Sequence, residues 1–176
     1  MTTTVYARVE SPLGELLLVG EVVADGPDAA GVAGVRLRSL SMPGQKGGAV
    51  VQDGWRHAPE AFAEVARQLE AYFAGRSTRI DVPLAEGAGT GTEFQRRVWA
   101  ALESIPYGST VSYGEIAARV GASGAGVRAV GTAIGRNPLL VVRPCHRVIG
   151  ADGALRGYAG GLERKKLLLG IEGGAG

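Results

Sequence analysis

The chain contains one cysteine, Cys145, in the run Arg143-Pro144-Cys145-His146-Arg147-Val148. A lone cysteine is most often a small buried hydrophobe, so any chemical reading rests on its neighbours. A thiol near its reference pKa of about 8.5 is only a few per cent thiolate at neutral pH, and an adjacent base or positive charge activates it. Arg143, His146 and Arg147 all lie within two positions of Cys145, and Pro144 fixes the chain just before it. The run therefore reads as an activated nucleophile, although adjacency in sequence does not bring the His146 ring onto the sulfur.

Composition removes several other chemistries. One cysteine excludes an internal disulfide framework. With only His57 and His146 beside it, a structural zinc site of Cys and His ligands cannot be assembled, so no metal is expected. No apolar run approaches the roughly 20 residues of a membrane span, and no basic stretch leads into an apolar one as in a signal peptide. The single cysteine fits a reducing compartment, and the expectation is a cytoplasmic protein. Arg outnumbers Lys 16 to 3, which a GC-rich genome explains more simply than an Arg-selective surface. Residues 1–86 carry 8 Lys and Arg against 11 Asp and Glu, whereas residues 87–176 carry 11 against 6. The basic second half hints at a polyanion partner.

The elements that would position these residues change character along the chain. Val5–Val9 and Glu15–Val19 read as strands flanking the turn Ser11-Pro12-Leu13-Gly14, and Gly34–Leu40 alternates as a third strand. Residues 41–54 read as a surface loop. A helix starts at Pro59 and stops at Gly75, with Phe62, Val65, Leu69, Tyr72 and Phe73 as a core stripe. The Gly-rich segment Ala85–Gly91 reads as the linker between an N-terminal domain (1–86) and a C-terminal domain (87–176). Beyond it, Thr92 with Gln95 and Ser112 with Glu115 form capping boxes that open two helices. The second ends at Gly121, Ala122-Ser123-Gly124 turns, and a third helix runs over about 125–135. Two short helices around a Gly-containing turn have the form of a helix-turn-helix. Its second helix carries Gly126, Gly131 and Gly135, at about 1 kcal/mol each relative to Ala. Close approach to a phosphate chain and tight helix packing account for them equally well.

Pro144-Cys145-His146-Arg147-Val148 resembles the active-site signature of the O6-alkylguanine-DNA alkyltransferases (methylated-DNA–protein-cysteine methyltransferases). Phe94-Gln95, Val98-Trp99, Ile105–Gly108, Ser112-Tyr113, Arg128–Gly131, Asn137-Pro138, Gly157–Leu162 and Glu172 follow the family's order at nearly its spacing. The likeness is strong over about residues 92–172, and before that it extends only to length and a β-then-α pattern.

The resemblance implies an α/β fold, with an N-terminal ribonuclease-H-like domain and a C-terminal, mainly helical, winged-helix-like domain. Cys145 would take the alkyl group once, as an inert thioether. His146 would be the base, acting through a water, with Glu172 orienting it. Tyr113 would protonate the leaving guanine, and Asn137 would brace the turn leading to the nucleophile. Val148, Tyr158, Ala159 and Gly160 would form the base pocket. Arg128 would fill the stack vacated by the flipped base, with Ser112, Tyr113, Ala129 and Gly131 along the DNA face. The implied partner is double-stranded DNA carrying alkylated guanine. The protein would work without cofactor or membrane and as a monomer; cooperative assembly on DNA and activity on O4-alkylthymine are left open. Two positions depart from the family: Arg143 replaces an aliphatic residue in the strand before Pro144, where it would be exposed or paired and could lower the thiol pKa. Ala159 replaces a common Ser. Two rivals are a non-catalytic alkylguanine-binding relative, against which Cys145 argues directly, and a Cys–His hydrolase that turns over repeatedly.

Overall fold

The computed structural model describes residues 2–23, 34–85, 91–122, 124 and 126–173. Alternating apolar residues build the first sheet. Strands β1 (Thr2–Ser11) and β2 (Gly14–Val23) pair antiparallel, with Val5, Ala7, Leu16 and Leu18 buried. Their turn closes as its residues predict: the Ser11 hydroxyl donates to the Gly14 carbonyl (2.7 Å) and accepts from the Leu13 amide (3.0 Å). Gly14 takes φ +102°, which a side chain would resist. Strands β3 (Arg36–Ser41) and β4 (Arg56–His57) complete the order β3-β2-β1-β4, with only the β1–β4 pair parallel.

Pro59 opens a 3-10 turn over Pro59–Phe62 that continues into helix α1 (Ala63–Phe73). Phe62, Val65, Leu69 and Tyr72 are buried, and Gly75 at φ +75° ends the helix.

In the second half both capping boxes form. Thr92 and Gln95 open α2 (Glu93–Glu103), and Ser112 and Glu115 open α3 (Tyr113–Arg119). Each satisfies two otherwise orphaned amides at a helix start. Helix α4 (Gly126–Gly135) follows α3, and the Trp99 indole of α2 donates to the Ala133 carbonyl of α4 (2.9 Å). A parallel pair, β5 (Val111–Ser112) with β6 (Val148–Ile149), ties the start of α3 to the segment after Cys145. Helix α5 (Leu162–Gly173) closes the chain's described part. Most of the expected linker, residues 86–90, and Ser123 of the expected turn lie outside the described residues.

The two halves share one continuous core. The Leu40 amide of β3 donates to the Pro138 carbonyl (3.0 Å), and the Leu140 amide donates back to the Leu40 carbonyl (3.4 Å). The first sheet thereby grips the chain that leads to Cys145.

Candidate active site

The segment ahead of Cys145, expected as a strand, is instead a series of tight turns. The Val142 amide donates to the Leu140 carbonyl (2.8 Å) across Val141, which sits at φ +71°. A β-branched residue in that region is strained, at a cost of order 1–3 kcal/mol, and persists only when its surroundings over-determine it. A second three-residue turn at Pro144 (φ −78°, ψ 60°) is closed by the Cys145 amide on the Arg143 carbonyl (2.7 Å). Asn137 holds the arrangement together from the core. Its amide nitrogen lies 3.2 Å from the Leu139 carbonyl, 3.3 Å from the Arg143 carbonyl and 3.4 Å from the Cys145 sulfur. Its side-chain oxygen accepts from the Leu139 amide (3.0 Å). Asn137 therefore reaches the thiol itself as well as the turn.

Cys145 is 3% exposed and lines a cavity of about 380 Å³. Tyr113, Gly131, Ile134, Gly135, Gly157, Tyr158 and Ala159 form the rest of its wall. The Tyr113 hydroxyl donates to the Gly157 carbonyl (3.4 Å), and burial followed by the nearby sulfur raises its pKa, so it stays protonated. Of the expected pocket residues, Tyr158 and Ala159 line the cavity. Val148 is fully buried below it, its amide donating to the Cys145 carbonyl. Gly160 lies behind Tyr158, where an added Cβ would stand 2.5 Å from the Met42 sulfur and 2.8 Å from the Tyr158 ring.

The charges near the sulfur are not those adjacent in sequence. Arg143 is buried, pairs with Glu103 (3.1 Å) and lies over the Trp99 ring at 5.1 Å. Arg147 turns to Glu172. The cation acting on the thiol is Lys165 of α5, and burial pushes Cys145 up to about 11 despite Lys165 and the Asn137 hydrogen bond. Lowering of the thiol pKa by Arg143 and Arg147 is thus corrected: both arginines pair elsewhere, and the resting group is a thiol, because desolvation of the anion outweighs the remaining charge. Lys165 is fully buried, donates to the Arg156 (3.0 Å) and Gly157 (3.4 Å) carbonyls, and is lowered to about 8 by burial.

Behind the sulfur, Glu172 is a hub of hydrogen bonds. His146 Nε2 is 2.6 Å from its Oε2, Arg147 Nε is 2.6 Å from Oε1, and Arg147 Nη2 is 2.9 Å from Oε2. Arg147 Nη1 also donates to the Ile105 carbonyl (2.6 Å), and the Tyr72 hydroxyl donates to Oε2. Burial opposes charge on Glu172, but the donors prevail and hold its pKa at about 2. Burial likewise lowers His146, so its imidazole is neutral. An ionised carboxylate only accepts, so the ring proton sits on Nε2 and Nδ1 carries the lone pair. Nδ1 is buried with no hydrogen-bond partner among the described residues, as a waiting base would be.

Tyr72, Arg147 and Lys165 are functional-site residues whose arrangement the sequence did not disclose. Lys165, Leu168 and Glu172 share one buried face of α5.

Of the residues expected on the DNA face, Tyr113 and Gly131 line the cavity. Arg128 and Ala129 are exposed on α4, whereas the Ser112 hydroxyl caps α3 by accepting from the Glu115 amide (3.1 Å). The α4 glycines separate by role. A Cβ on Gly126 would stand 2.8 Å from the Ala122 side chain, a packing reason, whereas at Gly131 and Gly135 it would meet nothing within 4 Å. Nothing inside the fold requires those two, and both line the cavity. Gly131→Ala is expected to stabilise α4 by about 1 kcal/mol, raising Tm by about 2–4 °C. The same methyl group should slow reaction with a lesion in duplex DNA several-fold. Thermal melts beside a transfer assay check both; a faster-reacting variant would contradict the second.

Residues 93–174 match the 6-O-methylguanine DNA methyltransferase, DNA binding domain, and residues 36–85 match the ribonuclease-like domain of the same family. The chain is 49% identical over 167 residues to the methylated-DNA–protein-cysteine methyltransferase of Mycolicibacterium paratuberculosis, covering 95% of this chain and 91% of that protein. It is 49% identical over 168 residues to the protein of the same name from Methanosarcina acetivorans, covering 96% and 97%. Among solved structures, Mycobacterium tuberculosis OGT in complex with DNA superposes with a TM-score of 0.79 at 46% identity, covering 96% of this chain and 92% of that one. With both halves matched in order and identity near one half over nearly the whole length, the chain belongs to the 6-O-methylguanine DNA methyltransferase family.

Proposed function

We propose that this protein repairs alkylated DNA by moving the alkyl group from guanine O6 onto Cys145, irreversibly and once per molecule. The observation that carries this reading is the 380 Å³ cavity with the one cysteine of the chain in its wall. His146, the next residue in the chain, is bound to Glu172 through Nε2 (2.6 Å), and the exposed Arg128 lies on α4, whose Gly131, Ile134 and Gly135 line the same cavity. The sulfur attacks the alkyl carbon as the carbon–O6 bond breaks. The thiol proton passes through a water to His146 Nδ1, and the Tyr113 hydroxyl gives a proton to a ring nitrogen of the departing guanine. One proton taken by His146 and one given by Tyr113 leave neutral guanine and a thioether, and the proton on the imidazolium returns through solvent to the tyrosinate, whose raised pKa draws it back. Thioether formation accounts for single use, because nothing in the site can cleave a carbon–sulfur bond. O4-alkylthymine, with the same alkyl–oxygen bond on a smaller ring, enters as a side substrate.

The reacting carbon cannot be reached inside a stacked duplex, so the base must leave it. Arg128 would occupy its place, while phosphate contacts along α3 and α4 supply salt-sensitive affinity. The test is transfer from an oligonucleotide carrying O6-methylguanine, compared with transfer from the free base. The wild type is expected to restore guanine in both. Arg128→Ala should lose at least tenfold on duplex, about the 1.4 kcal/mol of one tenfold step, and react normally with the free base. Absence of transfer by the wild type would overturn the proposal, and equal losses on both substrates would remove the role given to Arg128.

A further inference from the structure

We infer that Tyr72, from the first half of the chain, is a positioning residue that shares the Glu172 carboxylate with His146 and thereby sets the basicity of that imidazole. The inference rests on the proposed alkyl transfer for its consequence in rate, but its geometry stands independently.

Tyr72 lies on the buried stripe of α1, packed edge-on against Tyr107 with ring centroids 6.2 Å apart. Its hydroxyl is directed onto Glu172 Oε2, the same oxygen that His146 Nε2 and Arg147 Nη2 approach. Three donors on one oxygen divide its charge. A carboxylate engaged by tyrosine and arginine accepts less strongly from the imidazole, so it stabilises imidazolium less. The other charged groups facing His146 are Arg147 beside it and Lys165 on α5. Both cations oppose protonation of the ring. Tyr72 acts in the same direction without adding charge: its hydroxyl stays protonated, because burial and then the carboxylate beside it raise its pKa. A base must be neutral before it can accept the thiol proton, so weakening the pull of Glu172 keeps His146 competent to lower pH.

The assignment also gives the first half of the chain a specific contribution. Its helix supplies one of the donors on the carboxylate that orients the base, across 100 positions of sequence.

Tyr72→Phe tests this, since it keeps the ring and its packing while removing the donor. With one donor gone, Glu172 should draw harder on His146, and the Nε2-bound proton should move downfield in the NMR spectrum. His57 is exposed and provides an internal reference. The acid limb of single-turnover methyl transfer should move to higher pH, with at least a threefold loss on that limb and a shared alkaline plateau. An Nε2–H resonance that stays at its wild-type position overturns the inference, whatever the rate does. If the resonance moves while the wild-type protein transfers no methyl group, the role of Tyr72 stands and the proposed function falls.

Discussion

Glu172→Gln is expected to reduce methyl transfer by a hundredfold or more, within the range of about 10²–10⁴ for losing a well-placed general base. The carboxylate binds His146 and the Nε and Nη2 groups along one edge of the Arg147 guanidinium, and its hub is buried. The amide retains the volume but can offer Nε2 either a donor or an unfixed acceptor, so the imidazole loses its enforced tautomer. It also leaves the Arg147 guanidinium without its counter-charge, which in a buried pair costs about 3–5 kcal/mol. Denaturant melts read the second effect and single-turnover assays the first. The pH dependence has a definite sign. Glu172 is held at about 2 against an ordinary 4.5, so its contribution to stability is complete above the ordinary value and is lost as pH falls toward 2. The wild type should lose stability between about pH 4.5 and 2, and Glu172→Gln should lack that component. A variant of wild-type stability and rate would mean that the hub does no such work.

Cys145→Ala is expected to transfer nothing at all while folding normally. The substitution removes the thiol and leaves a methyl group at Cβ, at a buried position touched by Asn137, a loss of one 3.4 Å contact. Binding to lesion-containing duplex should survive, because α4 and Arg128, the proposed DNA contacts, are untouched. It should weaken with salt as phosphate contacts require. Residual transfer by this variant would move the acceptor elsewhere.

Much of the fold was legible because its determinants are local. The hairpin at Ser11–Gly14 and the capping boxes at Thr92 and Ser112 are decided by residues two or three positions apart, and all form. Within the candidate site, Cys145, His146 and Asn137 lie close in sequence, and the family motifs carried them together with Tyr113 and Glu172. What escaped is tertiary. Tyr72 sits on a helical stripe that reads as core, and its ring is indeed core; only the fold places its hydroxyl on Glu172. Lysine is almost never fully buried unless paired, yet Lys165 is sealed against loop carbonyls. Two of the three buried positions on that face of α5 are charged, so hydrophobic periodicity hides it. Val141 is a residue type that resists positive φ, and no pattern announces the turn it makes. In sequence Arg143 and Arg147 read as activators of Cys145, because adjacency is the only geometry a sequence carries. Burial turned Arg143 to Glu103 and Arg147 to Glu172.

Cys145 is proposed to accept an alkyl group only once. The most direct measurement incubates the protein with excess duplex carrying O6-methylguanine, follows restored guanine to completion, and locates the methyl group by mass spectrometry of the digested protein. A plateau at one methyl per protein molecule is expected, all of it on the Cys145 peptide. Continued turnover beyond that plateau, or a methyl group on any other residue, would contradict it.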